Sequence, residues 1–265
     1  MSLLAIYLAI GLVAGFIAGL LGVGGGLVLV PALAWVWGEA GFPPTHIMHL
    51  ALGTSLATIV FTSVSSLRAH HAHGAVRWAV VRRIAPGIVL GTLAGSLAAA
   101  WLPDRGLRVF FTLFLFYAAT QMLFDRRPVG RHALPGRAGL TAAGAVIGLV
   151  SSWVGIGGGT LSVPFLTWCG LRLQEAIGTS AAIGLPIAVS GAVGYVVSGA
   201  MVDALPAWSL GFVHLPALAA IAGTSMLAAP WGARLTHRLP VTRLKRLFAA
   251  LLYLIGLRML WGVLA

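Results

Sequence analysis

Two glycine-rich segments hold the backbone groups most able to do chemistry in this chain. Residues 22–26 read Gly-Val-Gly-Gly-Gly, residues 155–159 read Gly-Ile-Gly-Gly-Gly, and each is followed by four residues and a proline. Three consecutive glycines cost about 1 kcal/mol each in a helix relative to alanine, so each segment should interrupt an apolar helix. Successive N–H groups before a helix bind anions, and the helix dipole adds positive potential there. We expect anion contact from the two triplets, with helix packing as the alternative: Gly24, Gly25, Gly26, Gly157, Gly158 and Gly159.

Hydroxyl side chains follow each glycine segment at matching positions. Thr54 and Ser55 end an Ala-Leu-Gly-Thr-Ser run, and Thr179 and Ser180 end an Ala-Ile-Gly-Thr-Ser run. Such hydroxyls either donate to substrate oxygens or bond to neighbouring helices, and the sequence leaves both uses open. Thr160 follows the second triplet where a leucine follows the first. We therefore expect the second half to contact substrate more heavily.

Acidic side chains avoid the deep parts of the apolar blocks. The five acids stand in loops or at a helix start: Glu39, Asp104, Asp125, Glu175 and Asp203. A cation site built on a buried carboxylate is therefore not expected, and this favours an anionic substrate. Four other polar groups within the blocks are candidates for proton or anion contact: His49, His214, Gln121 and Arg258. Their alternatives are hydrogen bonding within the bundle for the histidines and snorkelling to the interface for the arginine.

Motifs for nucleophilic, zinc-dependent or nucleotide-driven chemistry do not occur in the sequence. There is no G-x-S-x-G, H-E-x-x-H or C-x-x-C, and the one lysine, Lys245, follows no glycine loop. The cluster of His70, His71 and His73 has no acidic or cysteine neighbour. We expect no catalytic residue, no metal and no cofactor.

The composition is that of an integral membrane protein. The 265 residues are 59% hydrophobic and 8% charged, with a mean hydropathy of +0.99. Soluble domains carry about 25% charged residues. The net charge of +12 arises from basic residues in short segments between apolar blocks, so it indicates membrane topology rather than a nucleic-acid partner.

The apolar blocks divide the chain into two similar halves. A spanning helix needs about 20 apolar residues, and the blocks are 3–37, 47–67, 78–101, 107–124, 138–169, 174–198, 206–231 and 244–264. Segment 126–137, rich in Pro, Gly and Arg, predicts a linker between repeats 1–125 and 138–265. Short matches in the same order in both halves indicate a duplication. Glycines spaced by four, at 11, 15 and 19 and at 87, 91 and 95, predict close helix packing.

The basic residues predict how the two halves sit in the membrane. If both halves have the same orientation, eight basic residues lie on each face of the membrane. If the second half is inverted, thirteen lie on the cytoplasmic face and three on the outer face. The positive-inside rule therefore favours inverted repeats with a cytoplasmic linker. Each repeat must then start with a glycine-broken helix that forms a re-entrant hairpin or a pair of short spans.

The paired G-V/I-G-G-G-x4-P motifs, each followed by Gly-Thr-Ser, resemble the TauE/SafE-type sulfite exporter family of bacterial membrane proteins. The resemblance covers essentially the whole chain. It implies a multi-pass secondary carrier of the bacterial plasma (inner) membrane that moves sulfur-containing anions such as sulfite or organosulfonates. It also implies a substrate-site role for the glycine triplets and the Gly-Thr-Ser residues.

The sequence thus predicts an all-α, polytopic membrane protein that exports a small sulfur-containing anion by alternating access. A passive anion channel is the main alternative, and an intramembrane enzyme or accessory subunit using Ser151 or Ser152 with His214 is a lesser one. The expected partners are the small anion and the lipid bilayer, without nucleic acid. The exact substrate, the coupling ion, the transport direction and the formation of a homo-oligomer stay open.

Overall fold

The protein is built almost entirely of helices in the computed structural model, which describes residues 2–21, 25–124, 133–203, 205–236 and 241–264. In chain order the elements are α1 Leu3–Leu21, α2 Gly26–Glu39, α3 Ile47–Ala72, α4 Trp78–Ala99, α5 Asp104–Phe124, α6 Arg137–Val154, α7 Gly159–Trp168, α8 Leu173–Gly199, β1 Ser209–Leu210, β2 Val213–His214, α9 Leu215–Thr236 and α10 Val241–Leu264. The two strands form a short antiparallel hairpin before α9.

Eight helices within the described ranges are long and apolar enough to cross a membrane. They are all except α2 and α7, which have 14 and 10 residues. The first and fifth apolar blocks each contain two helices, with α1 and α2 on either side of residues 22–25 and α6 and α7 on either side of residues 155–158. The prediction of an all-α polytopic membrane protein is confirmed.

The two longest helices, α3 and α8, form the centre of the bundle and run antiparallel. Gly53 of α3 lies against Tyr195 of α8, while Gly191 of α8 lies against Leu56 of α3. Large side chains on these helices and on α2 are buried, and they form one continuous core with α9 and α5. The polar groups that lie along α3 and α8 are therefore enclosed by protein rather than lipid.

Two outer helix pairs cross closely at small residues. A Cβ at Gly15 would overlap the backbone of Ser225, and a Cβ at Gly91 would overlap the backbone of Ala145. These contacts join α1 to α9 and α4 to α6, as the spacing of glycines by four predicts. The two helices of each pair run parallel. Gly19 meets Ala229, which lies four residues after Ser225, just as Gly19 lies four residues after Gly15.

The two ends of the bundle differ in charge. We use "basic end" for the end that carries Arg77, Arg82, Arg83, Arg137 and Arg172, at the starts of α4, α6 and α8. Arg77 and Arg172 both donate to Glu175 Oε1, each at 2.7 Å. Because they share this carboxylate, Arg77 and Arg172 lie at the same end of the bundle.

Candidate functional site at the glycine segments

The two glycine segments meet in the middle of the bundle. A Cβ at Gly26 would overlap the carbonyl oxygen of Gly155, so the first segment touches the second directly. Gly157 lies beside Ile59 and Gly184, which are close to the midpoints of α3 and α8. The backbone breaks that the sequence predicts half a chain apart are therefore neighbours at mid-depth.

The second segment has a backbone that requires glycine at two positions. Gly155 caps α6 with φ 67° and Gly158 caps α7 with φ 79°, both in the left-handed region that side chains disfavour. The N–H groups of Leu161 and Ser162 bond to the Gly158 carbonyl at 3.0 and 2.8 Å. Among the described residues no acceptor takes the N–H groups of residues 157–160. The segment thus leaves a row of donors at the positive end of α7, as an anion site needs.

The first segment is described only from Gly25 onward, so the predicted contact Gly24 lies outside the described residues. Gly25 caps α2 in a right-handed conformation, φ −72°, and its carbonyl accepts from Val28 and Leu29 at 3.1 and 2.9 Å. In this part of the chain no described acceptor takes the N–H groups of Gly25, Gly26 or Leu27. The starts of α2 and α7 therefore both bring to the junction N–H groups that no described residue accepts.

The predicted hydroxyls of the first half hold the junction together. Ser55 Oγ donates to the Gly155 carbonyl at 2.8 Å, joining α3 to the second glycine segment. Thr54 Oγ1 accepts the backbone N–H of His214 at 3.0 Å. Both side chains are fully buried. In this conformation each is used by the protein itself.

The second half repeats part of this arrangement. Thr179 Oγ1 accepts the backbone N–H of Arg77 at 3.0 Å, as Thr54 accepts that of His214. Ser180 Oγ lies 2.7 Å from Ser162 Oγ, which in turn donates to the Gly158 carbonyl at 2.8 Å. Ser162 stands where the first half has Leu29, so the sequence asymmetry produces a hydrogen-bond chain to the second segment.

Two buried hydroxyls near the second segment have no partner. Ser151 is 0% exposed and Thr160 is 6% exposed, and within the described residues neither side-chain oxygen has a hydrogen bond. Ser151 Oγ lies 3.7 Å from the position that a Cβ at Gly158 would occupy. An unpaired buried hydroxyl costs about 1–3 kcal/mol, so both hydroxyls call for a hydrogen-bond partner that the described residues do not supply. Thr160 is a predicted site residue, whereas Ser151 was considered only as a nucleophile.

The other four predicted polar contacts lie apart from the glycine segments. The His214 ring packs against Tyr7, Trp37 and Phe42 at 5.8, 5.7 and 5.5 Å. His49 Nε2 donates to the Ala99 carbonyl at 2.9 Å. The Arg258 guanidinium stacks over Trp35 at 4.2 Å, and Gln121 lies near the end of α5. No hydrogen bond or ring contact between described residues joins these four side chains to either glycine segment.

Charged and titratable groups gather at the ends of the bundle rather than at the junction. Burial lowers the pKa of His46, although the nearby Asp104 carboxylate acts in the opposite direction. At the basic end, the hydrogen bond to Glu175 raises the pKa of Arg172. The described acids all lie at helix ends or in loops. At the junction, positive potential within the described residues therefore comes from backbone N–H groups and helix dipoles rather than from charged side chains.

The structure shows the junction in a closed conformation. Gly26 and Gly158 are buried, and a Cβ at Gly158 would overlap Ile187 Cδ1. Neither of the two surface depressions described, one beside Arg82 and one beside Val189, includes a residue of the glycine segments. Gly25, Gly157 and Gly159 are partly exposed, so "closed" refers to the tight packing at Gly26 and Gly158.

Comparison with known proteins places this arrangement in a family. The family model described as "Sulfite exporter TauE/SafE" matches residues 7–259. A probable membrane transporter protein of Haemophilus influenzae is 39% identical, over 95% of this chain and 96% of that protein. Probable membrane transporter protein YdhB of Bacillus subtilis is 25% identical, over 87% of this chain and 89% of its own.

A more distant relative is probable membrane transporter protein MJ0441 of Methanocaldococcus jannaschii, 22% identical over 97% of this chain and 96% of its own. No solved structure matches the chain significantly. The family and the names of the relatives indicate a membrane transporter, and the eight candidate spans indicate a multi-pass membrane protein. This chain belongs to the TauE/SafE sulfite exporter family.

Proposed function

We propose that this protein is a secondary transporter that exports a small sulfur-containing anion, sulfite or an organosulfonate, across the bacterial inner membrane. The observation that carries the proposal is the meeting of the two glycine segments at mid-depth, where the N–H groups at the starts of α2 and α7 bond to no described acceptor. Oxyanions accept hydrogen bonds from such donors and are favoured by the positive ends of helices. The protein acts as a carrier and not as an enzyme, and it uses no cofactor.

The proposed site combines the backbone donors with the unpaired hydroxyls. The N–H groups of residues 157–160 and of Gly25 and Gly26 surround the anion, and Ser151 and Thr160 complete its hydrogen bonds. Thr54, Ser55, Thr179 and Ser180 stay predicted site residues, and in the closed conformation they bond to the surrounding backbone. Because no described lysine or arginine lies at the junction, these donors alone hold the anion in the proposed site.

We propose that the two halves are inverted repeats, residues 1–125 and 138–265, joined by a cytoplasmic linker at 126–137. Support comes from helix directions. The equivalent helices α5 and α10 are antiparallel, since Thr120 meets Tyr253 while Arg105 meets Val263. The pair α1 and α9 has its counterpart in the pair α6 and α4. Most of the linker lies outside the described residues.

The helix directions also support a re-entrant hairpin at the second glycine segment. Helix α6 runs parallel to α4, because Gly87 meets Thr141 and Gly95 meets Leu149. Helix α4 runs parallel to α8, because Thr92 meets Gly191 and Ser96 meets Gly194. Since α6 and α8 therefore share a direction, α7 must bring the chain back between them.

Alternating access follows if the helices around the junction separate towards one end at a time. The closed junction represents an occluded state, and substrate binding shifts the population between states that open to opposite ends. A passive anion channel would use the same donors but would require one continuous water path. Counterflow distinguishes the two, because only a carrier exchanges bound substrate across the membrane.

The test uses purified protein in proteoliposomes with labelled sulfite and sulfoacetate. We expect saturable uptake that is accelerated by unlabelled substrate on the opposite side. Gly158→Ala should abolish transport while the protein still inserts, because alanine disfavours φ 79° and meets Ile187. The matched control is Gly223→Ala in α9, where no atom lies within 4 Å of the new Cβ.

Three results would contradict the proposal. One is a current that saturates without counterflow, which indicates a channel. Another is Gly158→Ala transport at the level of the Gly223→Ala control. The third is a thermal stability of the purified protein that sulfite, sulfoacetate and thiosulfate all leave unchanged.

A further inference from the structure

A surface depression of about 400 Å³ lies between the starts of α4 and α6 at the basic end. Three arginines line it, Arg82 and Arg83 from α4 and Arg137 from α6, together with Ala79, Pro86 and Thr141. The depression is separate from the glycine junction, since it shares no residue with either segment. It is the strongest local concentration of positive charge around a described cavity.

The three arginines are free to bind an external anion. Glu175, an acid at the same end of the bundle, already forms ion pairs with Arg77 and Arg172. Within the described ranges no hydrogen bond or ion pair involves the guanidinium groups of Arg82, Arg83 or Arg137. The Thr141 hydroxyl donates to the Arg83 carbonyl at 3.0 Å, which ties α6 to α4 beneath them. Two helix starts therefore hold three unpaired cations over one concavity.

The depth of the depression matches the headgroup region of a bilayer. Trp78, the first residue of α4, is partly exposed, as tryptophans at membrane interfaces are. Pro86 lines the inner edge of the depression, and one turn further along the same face Leu90 is 66% exposed. Leu97 continues this apolar face towards the opposite end. A lipid phosphate would contact the arginines of the depression, and the acyl chains of the same lipid would run along the apolar face of α4.

We infer that the depression lined by Arg82, Arg83 and Arg137 binds the phosphate headgroup of an anionic phospholipid from the leaflet at the basic end. Arginine suits a phosphate because its planar guanidinium donates two parallel hydrogen bonds. Basic pockets between membrane helices on the cytoplasmic side are suited to anionic lipid headgroups. The bound lipid bridges α4 and α6, one of the two closely crossing pairs.

The test compares two double variants that remove equal charge from the same end of the bundle. Arg83→Gln with Arg137→Gln removes two residues of the depression, whereas Arg68→Gln with Arg246→Gln removes two outside it. Each purified protein is mixed with equal amounts of phosphatidylglycerol and phosphatidylcholine, and bound lipid is read by native mass spectrometry. We expect the wild type and the Arg68/Arg246 variant to retain phosphatidylglycerol preferentially. We expect the Arg83/Arg137 variant to bind it at least about tenfold more weakly.

A further variant tests the depression without removing an arginine, and inorganic phosphate tests whether the site prefers a lipid to a soluble anion. Ala79→Glu places a carboxylate in the depression while all three arginines stay, and it should also lower the retention of phosphatidylglycerol. Equal losses in the two double variants, or no preference over phosphatidylcholine in the wild type, would overturn the inference. So would inorganic phosphate that stabilises the wild type as much as phosphatidylglycerol does, because the depression would then be a site for soluble anions. None of these outcomes depends on transport.

Discussion

Removal of the Ser151 hydroxyl should stabilise the substrate-free protein and weaken anion binding. Ser151 is fully buried and its Oγ has no described partner, so Ser151→Ala removes an unpaired polar group. The relief of that desolvation cost is about 1 kcal/mol or more. If the hydroxyl donates to a bound oxyanion, the lost hydrogen bond to a charged acceptor is about 1.5–3 kcal/mol. That loss corresponds to roughly ten- to 150-fold weaker binding.

Ser55→Ala is the matched control, because it removes a buried hydroxyl that has a partner. Ser55 Oγ donates to the Gly155 carbonyl, and its loss leaves that buried acceptor unpaired. We expect Ser55→Ala to destabilise the protein by about 1–3 kcal/mol. The two serines therefore shift thermal stability in opposite directions although the chemical change is the same.

The assay is the thermal midpoint of each purified variant with and without sulfite, together with the sulfite dissociation constant. A lower midpoint for Ser151→Ala, close to that of Ser55→Ala, would show that Ser151 has a structural partner. Unchanged sulfite affinity in Ser151→Ala would show that its hydroxyl does not touch the anion. Either result refutes the reasoning that assigns this hydroxyl to the substrate.

Two further substitutions test the packing and the charge network. Glu175→Gln should lower the thermal midpoint at low salt and change it less at high salt, because a carboxylate that pairs with two partly exposed guanidinium groups is lost. A midpoint that is unchanged at low salt would contradict this. Gly15→Ala should destabilise the protein by about 1–3 kcal/mol or more, because the new Cβ would overlap the Ser225 backbone. Gly223→Ala should be neutral in the same melt, and equal midpoints would contradict the close crossing of α1 and α9.

The helices and their breaks could be predicted from the sequence, because apolar length and glycine clusters act locally. Each apolar block coincides with one or two helices to within a few residues at most ends, and α2 and α7 begin at the last glycine of each triplet, Gly26 and Gly159. The partners of these helices could not be predicted in the same way. Glycines spaced by four show that a close contact exists, but only the folded chain shows that α1 meets α9 and α4 meets α6.

The candidate site was only partly visible for a related reason. The repeat comparison draws attention to positions that match in both halves, such as Thr54 and Thr179, and these turn out to receive equivalent backbone bonds. Ser151 has no such match, since Ala18 stands at the corresponding distance before the first segment. Its one signal was its place a single turn before Gly155, at the end of α6. Whether a buried hydroxyl has a hydrogen-bond partner depends on its neighbours in the folded chain, and this leaves no pattern in the sequence.

A structure of the protein with bound sulfite, or with selenite as its heavier analogue, tests the central claim most directly. We predict density for the anion between the starts of α2 and α7, within hydrogen-bond distance of the Gly159 and Thr160 amides and of Ser151 Oγ. Density that occupies only another site, such as the arginine-lined depression, while the glycine junction stays closed and empty would contradict the account.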